Sequence, residues 1–150
     1  MIKDQQHRFV QSRKRDATLL AWFRFIRLWK KTLPQMDMHF KEWNLSQGQF
    51  DLLAEVAVNE GVNQQGCADR LNVTKGNIAQ HLKNLEKRGL MRREKVGRDN
   101  TLFLTEEGWK LFTEIMPIHD DHVRQIMAPL SAKETQQFSA ILRKLEHGVD

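Results

Sequence analysis

Residues 72–105 read NVTKGNIAQHLKNLEKRGLMRREKVGRDNTLFLT, and the reading of this stretch decides the fold. Thr74 carries a hydroxyl that can accept from the first free amides of a helix. Ile78, Leu82 and Leu85 follow at i, i+4 and i+7, one buried stripe of an α-helix over residues 74–88. The other face shows Lys75, Asn77, Gln80, His81, Lys83 and Asn84, all able to hydrogen-bond. Lys87 and Arg88 fill the last turn, where cations suit the helix dipole. Gly89 then supplies the usual stop. Residues 90–95, a turn containing Gly97, and residues 101–104 predict a small β-hairpin with cations on it.

Charge singles out the same stretch. Between Lys83 and Arg98 stand seven basic residues and two acidic ones, a net +5 that equals the formal charge of the whole chain. The rest of the molecule is balanced. A neutral body with one cationic patch on a helix and hairpin is an electrostatic footprint for nucleic acid. The plainer reading is a solvated basic face. Asn and Gln on the polar helix face argue against it, because they can bond adenine edges in the major groove.

Working outward, the preceding residues complete a motif. Ser46 and Gln49 have capping-box spacing, and Phe50, Leu53, Val56 and Ala57 form the buried face of the helix they open. Asn59, Glu60 and Gly61 stop it. Residues 64–71 predict a short helix, and Asn72-Val73 a tight turn into the helix at Thr74. Helix, tight turn, second helix with a polar outer face is helix-turn-helix grammar, and the hairpin makes it a winged helix.

Towards the N-terminus, residues 1–16 are polar and predicted to become helical by about Gln11. Residues 19–29, LLAWFRFIRLW, are the most apolar segment. Arg24, Arg27 and Lys31 share one narrow stripe of it, and the remaining perimeter is apolar or aromatic. Such a helix must be covered on more than one side. The cover is either a second copy of the protein or, in the competing reading, the chain's own core. Pro34 is expected to interrupt or end this helix.

Towards the C-terminus, Thr105 caps a long helix with Glu106 and Glu107 at its positive end. Leu111, Phe112, Ile115 and Met116 are its core face, and Pro117 is expected to bend or break it. Ser131 and Glu134 form a second capping box. Phe138, Ile141, Leu142 and Leu145 then make one stripe, suited to packing with the N-terminal helices across a dimer.

The chain has 150 residues, one cysteine, three prolines and eight glycines. The size fits one domain with a substantial core. A single cysteine allows no internal disulfide, which fits a reducing compartment. No apolar run reaches the roughly 18 residues that a membrane helix needs, and the polar N-terminus does not read as a secretory signal. A cytoplasmic protein with no membrane partner is expected. No Gly-rich phosphate loop and no nucleophile–base motif is present, and there is no tyrosine. Neither an enzyme nor a cofactor is expected.

These residues carry a resemblance. The order LSQGQFDLL, QQGCADRLNVTKGNIAQHLKNLEKRGLMRR, a basic hairpin, LTEEGWKL and two long helices is similar to the MarR family of bacterial transcriptional regulators. The most specific parts are residues 85–90 (LEKRGL), Arg93, and residues 104–108 (LTEEG). The resemblance implies a mainly α, winged helix-turn-helix protein with N- and C-terminal dimerisation helices, a homodimer on palindromic operator DNA, and repression as the family default. It places the DNA-binding part at about residues 46–108 and the dimerisation part at about 8–33 and 110–147 of a single domain. Many members release DNA when a small molecule, often an aromatic acid, binds between the two regions. The family's wing usually carries Asp-Arg-Arg before its second strand. Here the matching stretch is Arg98-Asp99-Asn100-Thr101, without the arginines after the aspartate.

The candidate DNA contacts follow. Thr74, Lys75, Gly76, Asn77, Gln80 and His81 lie on the face offered to the major groove, since the N-terminal residues of a recognition helix reach bases. Lys83, Arg92, Lys95 and Arg98 are assigned to phosphates or the minor groove. Gly76 would let the helix start lie close to DNA, or is merely a tolerated surface glycine. A winged helix used only as a protein-docking module is the alternative that a neutral face would have favoured.

Three further constellations carry chemistry. Cys67 is in phase with Leu71 and reads as a small core residue; peroxide-sensing relatives keep their reactive cysteine near the N-terminus, where this chain has none. His119-Asp-Asp-His122 places two imidazoles on one helix face, and His39 is a third candidate for a zinc site in a metal-responsive regulator. The plain reading is two polar residues on a solvent-facing turn after a proline bend. Trp22, Phe25, Trp29, Phe40 and Trp43 are candidates to line an effector pocket for a small aromatic molecule, although aromatic stripes are more often core or interface.

Overall fold

The computed structural model describes the backbone of residues 2–149 and the side chains of residues 5–13 and 16–149. The chain divides into two compact units, residues 1–47 and residues 48–150. The second unit carries the helix-turn-helix, the hairpin and both C-terminal helices.

In the first unit, α1 spans Ile2–Arg15 and α2 spans Ala17–Phe40. Helix therefore begins well before the Gln11 start that the sequence predicts, over a run with no glycine or proline to oppose it. Asp16 separates the two helices. Its side chain accepts from the amides of Thr18 at 2.9 Å and Leu19 at 3.2 Å and so caps α2. Pro34 does not interrupt α2. A proline removes one helical amide and strains one turn, but the turns beyond it carry Phe40 into full burial, and that burial favours continuing the helix. A 3-10 turn, Lys41–Trp43, and Asn44 at φ 53° close the segment.

Among the described residues, none in the apolar midsection of α2 is buried. Trp22, Phe23, Phe25, Leu28 and Trp29 are all exposed, Trp22, Phe23 and Trp29 by more than half. Within the first unit, this helix is therefore not a buried core element.

In the second unit the order is α3 (Gln47–Val58), α4 (Gln64–Leu71), α5 (Lys75–Lys87), β1 (Met91–Val96), β2 (Asp99–Leu104), α6 (Glu106–Met127) and α7 (Ala132–Glu146). Its core is the sum of the stripes: Phe50, Leu52, Leu53 and Val56 from α3, Cys67 and Ala68 from α4, Ile78, Leu82 and Leu85 from α5. Leu90, Met91, Leu102 and Leu104 from the hairpin and Ile115 from α6 complete it. Asn63 caps α4 by accepting from Gly66 N at 2.8 Å, and Asn72, at φ 51°, makes the tight turn into α5. Past α5, Gly89 adopts φ 70°, a region costly for any side chain, and the chain reverses into β1.

The hairpin is antiparallel, in a register that pairs Met91 with Leu104 and Val96 with Asp99. Its second strand starts at Asp99, before the predicted 101, because only Gly97 and Arg98 are needed for the turn. Residues 61–63 add a further rung that the sequence did not announce: Gly61 N donates to Leu102 O and Leu102 N to Val62 O, each at 2.9 Å. Like Pro34, Pro117 leaves its helix unbroken. Ile115, fully buried, fixes the turn just before it. The capping box of α7 is formed, Ser131 N donating to Glu134 Oε2 at 2.9 Å and Glu134 N to Ser131 Oγ at 3.3 Å. No helix of the described residues is long and apolar enough to cross a membrane.

Candidate nucleic-acid interface

Helix α5 is held by its apolar stripe and its cap. Thr74 Oγ1 accepts from Asn77 N at 3.1 Å, so the hydroxyl first of all orders the helix start. With Ile78, Leu82 and Leu85 turned into the core, the opposite face presents Lys75, Gly76, Asn77, Gln80 and Lys83 to solvent. Gly76 lies in open space: a β-carbon there would meet nothing nearer than Thr74 Oγ1 at 3.9 Å. His81 departs from the expected face. It is half-buried, and its ring packs over Gly48 at the start of α3.

The hairpin cations fall into two groups. Arg92 is paired with Glu94 and lies 4.8 Å from the centroid of the Phe103 ring. Arg93 donates from Nε and Nη2 to the two carboxylate oxygens of Glu86, at 2.7 and 2.6 Å. Hydrogen bonding to that carboxylate raises the Arg93 guanidinium above its ordinary value. The two acidic residues of the patch are thus both engaged. Among the described residues, no carboxylate stands within ion-pair distance of Lys75, Lys83, Lys87, Lys95 or Arg98. Their field is open to a polyanion.

Tertiary structure joins parts that are distant in sequence. Lys75 in the first turn of α5 and Arg98 at the hairpin tip border one polar cavity of about 110 Å³, together with Asn63, Gln64, Gln65, Asn100 and the acidic Asp99. Gln64 and Gln65 escaped the sequence reading. Their only signal was their place in the first turn of α4, which the hairpin approaches through residues 61–63.

The remaining candidates are placed as follows. The five candidate effector aromatics are spread along the first unit. Trp22, Phe25 and Trp29 lie on the exposed face of α2, while Phe40 is buried and Trp43 half-buried at its far end. Because α2 runs unbroken, Trp22 and Phe40 are about 27 Å apart along its axis at 1.5 Å per residue. His39 rings instead with Phe40 and Trp43, at 5.1 and 5.4 Å between centroids. His119 and His122 sit within continuous helix and are half-buried, not on a solvent-facing turn; the His119 ring lies 4.9 Å from that of Phe50. Asp121 and Asp120 are drawn to Arg124, at 2.6 and 3.7 Å. Among the described residues no group of three or more His, Cys, Asp or Glu is arranged to hold a metal ion. Cys67 is fully buried, and burial, with a smaller push from the Glu55 carboxylate, raises its thiol to about 11.

Comparison with known proteins agrees with this geometry. The model of the MarR family matches residues 45–100. An HTH-type transcriptional regulator of Bacillus cereus (strain ZK / E33L) is 30% identical over 105 residues, 69% of this chain and 71% of its own. The transcriptional regulator HosA of Escherichia coli is 29% identical over 120 residues, 78% and 82% of the two chains. Among solved structures, a MarR family transcriptional regulator from Listeria monocytogenes complexed with 26mer DNA superposes with a TM-score of 0.76 at 26% identity, covering 85% of this chain and 87% of that one.

Proposed function

The chain belongs to the MarR family of transcriptional regulators, and on that premise we propose that it binds palindromic duplex DNA as a homodimer, represses by doing so, and is released by a small molecule. The observation that carries the DNA reading is the set of exposed cations without carboxylate partners, Lys75, Lys83, Lys95 and Arg98, around the polar outer face of α5. The DNA-bound Listeria relative supports it.

In this reading Lys83, Lys95 and Arg98 neutralise phosphates. They supply affinity and register without sequence information. Asn77 and Gln80, with Lys75 beside them, read base edges in the major groove. Thr74 and Gly76 set how closely the helix start approaches, and Arg98 at the hairpin tip reaches the minor groove. Arg92, stacked on Phe103 and paired with Glu94, and His81, turned onto Gly48, contribute through packing more than through direct contact.

Homodimerisation is supported by the exposed apolar faces at both ends of the chain. Ile141 and Leu145 of α7 are exposed by more than half, as are Trp22 and Trp29 of α2. Two recognition helices then stand about 34 Å apart, one DNA turn. Where the dimer leaves rings of α2 uncovered, such as that of Phe25, a small aromatic effector has a surface to stack on.

The test is selection of duplexes from a random pool by the full chain, followed by salt titration of the selected site with and without simple aromatic acids. A palindromic site with a steep salt slope is expected, and an acid that lowers affinity identifies the effector class. Absence of any sequence-preferring duplex binding would overturn the proposal.

A further inference from the structure

We infer that Arg93 is a positioning residue, which together with Glu86 forms a strut between the recognition helix and the wing; this inference rests on the DNA reading above. The geometry is specific. Both guanidinium donors meet both carboxylate oxygens, at 2.7 and 2.6 Å, in the parallel arrangement that gives an arginine–carboxylate pair its directionality. Exposed ion pairs contribute little as a rule. Well-formed bidentate pairs are the exception, and the Glu86 side chain is only 24% exposed.

The hairpin register explains what the strut does. Arg93 pairs across the sheet with Leu102, which is fully buried, so Arg93 points to the core side of the hairpin. Arg92 and Glu94 alternate to the other side. Lys95 shares the face of Arg93, one step nearer the tip. Past Met91 every residue of β1 is exposed, so the outer wing has no apolar anchor of its own on that strand. Glu86 lies in the last turns of α5, and the chain between it and Arg93 passes through the left-handed turn at Gly89. The ion pair spans that turn. It holds Lys95 and Arg98 at a set distance from Lys75 and Lys83, so that one rigid pattern of cations meets the phosphates. An arginine spent in this way is not a phosphate contact.

The strut and a direct contact predict opposite signs at Glu86. If electrostatics alone governed, Glu86→Ala would remove a negative charge from the DNA face and tighten binding. If the strut positions the wing, the same change loosens it. The experiment measures affinity for the selected duplex against salt for the full chain and for Glu86→Ala, Arg93→Ala and the exchanged pair Glu86→Arg with Arg93→Glu. Amide hydrogen exchange of residues 92–104 is followed in parallel. Expected are losses of about fivefold or more for each single change, as for neighbours in one network, with the salt slope unchanged. The exchanged pair should recover much of the loss, and wing amides should exchange faster in the single variants while those of α3 do not. Binding by Glu86→Ala as tight as that of the original chain would overturn the strut. So would a fall of about one in the salt slope of Arg93→Ala, the mark of a lost phosphate contact. If the original chain shows no sequence-preferring binding, the DNA reading falls and the strut's part in it too, while the exchange data still report whether Glu86 and Arg93 tie the wing to α5.

Discussion

Gly108, in the first turn of α6, sits against the carbonyl oxygen of Leu90 with no room between them for a β-carbon. The same junction is closed by Thr105, whose amide donates to that carbonyl at 3.1 Å, whose Oγ1 donates to Gly89 O at 2.6 Å, and whose Oγ1 accepts from Gly108 N at 3.0 Å. The end of the recognition helix, the start of the wing and the start of α6 meet at this point. Gly108→Ala should therefore destabilise the protein by about 2–3 kcal/mol, since backbone must move to admit the methyl. At this chain length that is a fall in Tm of roughly 5–10 °C. A thermal melt unchanged within 2 °C, roughly 1 kcal/mol or less, would show that the junction is loose.

Gly76 gives the contrasting case. Open space surrounds it, so Gly76→Ala should raise stability by about 0.5 kcal/mol through helix propensity and lower unfolded-state entropy. If the glycine serves close approach to DNA, the same variant binds its duplex more weakly while melting higher. Melting and binding curves on one preparation separate the two effects. Unchanged binding would leave Gly76 as an ordinary surface glycine.

Lys83→Ala and Gln80→Ala should fail differently. Removing Lys83 should weaken binding to all sequences and reduce the salt slope by about 0.9. Removing Gln80 should change which base is preferred at one position, by about 1–3 kcal/mol, and leave the slope alone. A uniform loss over all sequences for Gln80→Ala would contradict its assignment to a base edge.

Cys67 bears on pH dependence. Its thiol is raised by burial from an ordinary 9.0 to about 11, so the folded state holds the proton more tightly than the unfolded chain does. The stability this contributes is fully present below pH 9 and is lost as pH rises through about 11, roughly 2 kcal/mol over that window. Denaturant melts at stepped pH should show a steeper decline for the original chain than for Cys67→Ala between these values. Parallel curves would mean that the thiol does not couple to folding.

Charge placed on the exposed stripe of α7 tests assembly. Ile141→Glu with Leu145→Glu should leave the monomer folded, because both side chains are exposed by more than half in the single chain. Sedimentation should then report a monomer. Duplex affinity should drop by about a hundredfold or more as bivalent binding is lost. A dimer that persists would move the interface elsewhere.

Much of this protein was legible in its residues taken in order. Thr74, the stripe of Ile78, Leu82 and Leu85, and the stop at Gly89 determine α5 because a cap, a 3.6-residue period and a left-handed turn are local requirements. The bounds of α4, the capping box of Ser131 and Glu134, and the cationic character of the patch are local in the same sense. Tertiary structure decided the rest. Pro34 and Pro117 remain inside helices because burial of Phe40, nearly two turns beyond Pro34, and of Ile115, just before Pro117, outweighs the lost amide. A linear pattern does not reveal that balance. Nor does it show that Arg93 is spent on Glu86, that His81 folds back onto Gly48, or that Lys75 and Arg98 border one cavity. Sequence determined which side chains could carry charge to a partner. Only the packing of hairpin on helix decided which of those charges are left uncompensated, because an ion pair forms between residues that the fold, not the chain order, brings within reach.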